Sequence, residues 1–67
     1  MRAVRFHRDL YTASGIEQAT ALLATFATLE RKDEPAHFVV HVAAASPGRE
    51  RKVALELGNH ALTLSRR

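Results

Sequence analysis

The stretch KVALELGNHALTL, running from Lys52 to Leu64, decides the fold of this chain. It supports two readings. Lys52 to Leu57 alternates strictly and Gly58-Asn59 suits a two-residue turn, so a hairpin would set Val53 opposite Leu64 and Leu55 opposite Leu62 on one face. The same residues also carry a helical stripe, made by Val53, Leu57, Ala61 and Leu64. Ala54, Leu55, Glu56, Leu57, Ala61 and Leu62 are strong helix formers, whereas only Val53 and Thr63 are β-branched. The balance of composition favours a helix within Ser46 to Arg66. Ser46-Pro47-Gly48 gives that helix a start, with Pro in the first turn. Gly58 costs it about 1 kcal/mol unless the missing side chain lets the sheet or another helix approach closely.

Upstream of this segment the period changes several times. His37 to Ala44 is rich in β-formers, namely Phe38, Val39, Val40 and Val42, and reads as a strand. Ala27 to Lys32 has period two, with Leu29 between Thr28 and Glu30, and Asp33-Glu34-Pro35-Ala36 connects it to the next strand. These two strands form a hairpin. Earlier still, Ile16, Ala19, Leu22, Leu23 and Phe26 are spaced by three and four and line one side of a helix. Ser14 and Glu17 stand at capping-box spacing and mark the helix start. Arg2 to His7 alternates and reads as a first strand, with Val4 and Phe6 on its buried side.

The element order is β-α-β-β-α, and the fold class is α+β, a single small domain over residues 1–67. It forms a two-layer sandwich with both helices on one face of a three-stranded sheet. The simplest sheet places the third strand between the first and second. Its buried face holds Val4, Phe6, Leu29, Phe38, Val40 and Val42. Its open face holds Arg5, His7, Thr28, Glu30, Lys32, Val39 and His41.

Composition narrows the functional classes. In 67 residues the apolar share is 46 %, but twelve of those residues are Ala, so the core is thinly stocked. A chain this short buries only about 60 % of its unfolded surface, which points to a homodimer or a hetero-complex. With no Cys there is no disulfide framework, thiolate site or ligand for an iron–sulfur cluster. A cytoplasmic location fits that composition. No run approaches the roughly 20 apolar residues of a membrane span, and Arg2, Arg5 and Arg8 precede no apolar signal-peptide run, so no membrane is expected. The net charge of +3 raises nucleic-acid binding as an alternative. Against it, most cations neighbour acids, as Arg8 does Asp9, Arg31 and Lys32 do Glu30 and Asp33, and Arg49, Arg51 and Lys52 do Glu50.

No catalytic constellation stands out. Ser and Thr are present without a glycine-flanked nucleophile or a phosphate loop, so no catalytic residue and no enzyme activity is assigned. Among the four His, His37 and His41 share a face but lie about 13 Å apart at ~3.3 Å per residue, too far to chelate one ion. His7 and His41 could approach across neighbouring strands, yet two ligands would not complete a metal site, and no cofactor is expected. Tyr11, between the first strand and the first helix, has the character of a core anchor. Asn59 is out of place in a helix by propensity and either bonds a neighbouring loop or is exposed.

The run Phe6-His7-Arg8-Asp9-Leu10-Tyr11-Thr12, followed by Ile16 and Ala19, resembles the opening of the His-Xaa-Ser system HxsD-like small protein family. In that family a strand leads into a Leu-Tyr-Ser/Thr corner and an Ala-rich helix. Asn59-His60-Ala61-Leu62, with Arg67 following, is similar to its closing helix, although His60 and Thr63 stand where the family often has acids. The resemblance spans nearly the whole chain. It implies a non-catalytic accessory factor in ribosomal peptide maturation, partner of a radical S-adenosylmethionine enzyme or of its precursor peptide, with Tyr11 and Asn59 at a structural corner. A small sheet with open edges can accept an extended peptide as an added strand. The expected partner-binding residues are Arg5, His7, Val39 and His41, with Arg2 and Arg5 on the first strand and Glu30 and Lys32 on the second protecting the edges against indiscriminate pairing.

Overall fold

A computed structural model of the chain describes residues 2–65. The elements are β1 (Arg2–His7), α1 (Ala13–Leu23), β2 (Thr28–Asp33), β3 (His37–Ala43) and α2 (Pro47–Leu64). The strands form one sheet in the order β1-β3-β2, with β3 antiparallel to both neighbours. This is the α+β architecture expected from the sequence. Arg66 and Arg67, the end of the expected last helix and the closing Arg of the family resemblance, lie outside the described residues.

β3 is central because it is apolar on both sides. Phe38, Val40 and Val42 point to one face and Val39 to the other, and all four are buried. The first three join Phe6, Ile16, Ala19, Leu23, Val53, Leu57 and Ala61 in one core cluster. That cluster therefore draws on both helices and on alternate residues of β3, which is what period two on a strand and a single stripe on each helix require.

The segment Lys52 to Leu64 is helical throughout. Ser46 caps α2, its hydroxyl accepting from Arg49 N at 3.2 Å, and Pro47 follows at the first helical position. Val53, Leu57 and Ala61 are buried and Leu64 packs against the cluster. Gly58 does not serve a close approach: a Cβ built there would meet nothing within 4 Å.

α1 differs from the sequence reading at both ends. Its cap is Thr12, not Ser14, because the chain leaves β1 through a turn in which Leu10 N and Tyr11 N both donate to His7 O. That turn delivers Thr12 in an extended conformation, and its Oγ1 accepts from Gly15 N at 2.9 Å. Ser14 already lies inside the helix, where its hydroxyl accepts from Gln18 Nε2 at 3.0 Å. At the other end the helix stops at Leu23, so the expected stripe is shorter. Ile16, Ala19 and Leu23 are buried, whereas Leu22 and Phe26 are 57 % and 56 % exposed.

The start of α1 is joined to the end of α2. Thr12 N donates to Ser65 Oγ at 3.0 Å, and Ser65 is itself buried. Gly15 permits that approach, since a Cβ there would overlap Ser65 Oγ and stand 3.1 Å from Ser65 N.

Candidate functional site

The sheet face turned away from the core cluster is organised in rows by the strand register. Ala3, His41 and Glu30 form one row, and Arg5, Val39 and Lys32 the next. His7 and His37 stand opposite each other at the end of the sheet. The parity of each strand thus brings Arg5, His7, Val39 and His41 onto one surface.

Val39 is the apolar centre of this surface. Only 3 % of it is exposed, yet it belongs to no core cluster. Its direct cross-strand neighbours are Arg5 and Lys32, residue types whose methylene stems can cover an apolar neighbour while their charged ends stay in water. The Arg5 Nε lies 3.6 Å from Glu34 Oε1 in the β2–β3 turn, an exposed pair worth at most about 1 kcal/mol. Arg5 is therefore held only loosely.

The histidines pair differently from the sequence expectation. His7 faces His37, with ring centroids 5.1 Å apart and planes at 79°. His41 faces Ala3 and Glu30 instead, two residues along β3 from the Val39 row. His7 Nδ1 accepts from Asp9 N at 3.2 Å and lies 3.7 Å from Asp9 Oδ2. Among the described residues no three His, Asp or Glu side chains converge as metal ligands would.

Sequence reasoning missed the work of two cations. Arg8 and Arg31 lie over the Phe38 ring, at 4.4 and 5.2 Å from its centroid. Arg8 Nε also donates to Glu34 O at 3.0 Å, and Arg8 N donates to Ala36 O at 3.1 Å. Arg31 makes a bidentate pair with Asp33, at 2.8 and 2.9 Å. That bond holds the Asp33 carboxyl below the usual carboxylate range, with the charges of Arg31 and Arg8 acting in the same direction. The only hint in the sequence was the spacing of Arg31 and Asp33, which puts both on one side of an edge strand.

Tyr11 packs edge-on against Phe6, with centroids 4.9 Å apart, next to the core cluster. Asn59 lies outside this corner, exposed on α2, where its carbonyl accepts from Thr63 Oγ1 at 3.1 Å. The residue that closes the corner from α2 is Ser65.

No family model matches the chain, and neither a curated protein nor a solved structure shows detectable similarity to it.

Proposed function

We propose that this protein is a non-catalytic accessory module that binds an extended polypeptide at the outer edge of β1 and across the open face beside it. The observation that carries the reading is the position of β1. It is an outer strand, paired to β3 on one side only, and it presents Arg5 and His7 next to Val39 and His41. An added strand would take its affinity from the free backbone groups of β1 and its selectivity from side chains set against that face. β2, the other edge, is charged along most of its length with Glu30, Arg31, Lys32 and Asp33 and suits a strand protected from pairing.

The resemblance to HxsD-like proteins supplies the biological setting. In it the partner is a radical S-adenosylmethionine enzyme or the precursor peptide that the enzyme modifies, and the reaction belongs to the enzyme. Nucleic-acid binding at the sheet is less well supported, because Arg8 and Arg31 already engage the chain's own acids, carbonyls or rings.

Titration calorimetry against a candidate precursor peptide and a candidate radical S-adenosylmethionine enzyme tests the reading, as does whether genes for such a pair adjoin this one. Arg5→Glu should weaken the cognate complex by about 1–3 kcal/mol. Absence of binding to either partner, or equal affinity for the variant, would overturn it.

A further inference from the structure

The helical layer carries a second surface, independent of the open face. Half-exposed Leu22 and Phe26 form one wall of a groove of about 480 Å³ between α1 and α2, with Val53 at its floor. The opposite wall is one side of α2, along which Arg49, Lys52 and Glu56 succeed one another by about a turn. Glu56 Oε2 lies 3.7 Å from His60 Nε2 in an exposed contact. Arg49 and Lys52 have no ion-pair partner among the described residues.

This wall is complementary to itself. A two-fold axis perpendicular to α2 and passing beside it, level with residue 54, would run two copies of the helix antiparallel and place Lys52 of each copy against Glu56 of the other. Leu22 and Phe26 of the two copies would then meet beside these pairs, over the buried Val53. An isologous interface requires this property, that residue i meets j and j meets i.

We propose that the groove is the contact between two copies of the chain, arranged about that axis. Leu22 and Phe26 leave roughly 200 Å² of apolar surface per copy, enough for the centre of an interface at the small end, near ~1,200 Å² in total. The dimer is accordingly weak, with dissociation in the micromolar range. It leaves the open sheet face and the β1 edge free in both copies. Leu55 and Leu62, also exposed, lie about a third of a turn around α2 from the groove wall and take no part in it.

Sedimentation velocity from low micromolar to several hundred micromolar concentration tests the arrangement. The native chain should pass from monomer to dimer across that range, and Phe26→Asp should remain monomeric. Lys52→Glu and Glu56→Lys should each weaken association by about tenfold, because one reversal turns both symmetry-related pairs repulsive. The double variant carrying both changes should recover most of the native affinity, since each pair is rebuilt in reverse. The proposal is overturned by a native chain that stays monomeric throughout. It is equally overturned by a dimer that survives Phe26→Asp but is lost in Leu55→Asp, or by a double variant as weak as the single ones.

Discussion

Two helical glycines should respond in opposite directions to the same substitution. At Gly58 an added methyl meets nothing within 4 Å, so Gly58→Ala keeps only the gain in helix propensity and stabilises by about 0.5–1 kcal/mol. At Gly15 the methyl would overlap Ser65 Oγ and stand 3.0 Å from Thr12 Oγ1 and 3.1 Å from Ser65 N. The Ser65 hydroxyl can turn aside only by giving up the bond from Thr12 N, a loss of about 1 kcal/mol. The Ser65 amide cannot follow, because it is held to Ala61 O at 3.0 Å. The two helix ends must therefore part, at an overpacking cost of about 1–3 kcal/mol. After the propensity gain is subtracted, Gly15→Ala destabilises by roughly 1–3 kcal/mol. Thermal melts followed by circular dichroism read this directly, at about 4–8 °C per kcal/mol for a domain this small. Gly58→Ala should melt a few degrees above the native chain and Gly15→Ala at least about 5 °C below it. Equal shifts in the same direction would refute the contact between the start of α1 and the end of α2.

Three further outcomes follow from individual contacts. Thr12→Ala should lower stability in urea melts by about 1 kcal/mol and Ser14→Ala by a few tenths at most, whereas the reverse order would return the cap to Ser14. Leu57→Ala should cost about 2–5 kcal/mol and Leu55→Ala less than about 0.5 kcal/mol, since only Leu57 is buried; comparable losses would favour a hairpin, in which both face inward. Asp33 titrates below its unfolded value in the fold, so its pair with Arg31 adds stability above the unfolded value near ~4 and loses it as the pH falls through the lower folded value. The gap between native and Asp33→Asn melting temperatures should thus be present at neutral pH and close on acidification, and a gap that persists at pH ~2 would contradict the assignment.

The sequence carried the architecture further than the contacts. The third strand was placed at the centre as the simplest sheet, while the burial of Val39 on the open face was not legible, and the helical stripe from Val53 to Leu64 outweighed the hairpin pattern laid over the same residues. Strand parity also assigned Arg5, His7, Val39 and His41 to one face. Parity does not report the offset between strands, which changes in steps of two without moving any side chain to the other face. For that reason His7 was legible as a face residue but not as the neighbour of His37. The cap of α1 escaped notice because the turn after β1 shifts the helix start to Thr12, and both Thr12 and Ser14 are competent caps by residue type. Leu22 and Phe26 kept the helical spacing of a core stripe, but α1 buries Leu23 in place of its neighbour Leu22 and ends before Phe26, which leaves both over the groove. The stacking of Arg8 and Arg31 on Phe38, and the bond from Thr12 to Ser65, join residues far apart in the chain and leave no local pattern.

The proposed role of β1 and the open face is tested most directly by assigned amide spectra of the chain while a candidate precursor peptide is titrated in. The account predicts progressive shifts at Ala3, Arg5, His7, Val39 and His41, with α1 and α2 unaffected. Shifts confined to Leu22, Phe26 and the α2 wall of the helical groove, or none at saturating peptide, would contradict it.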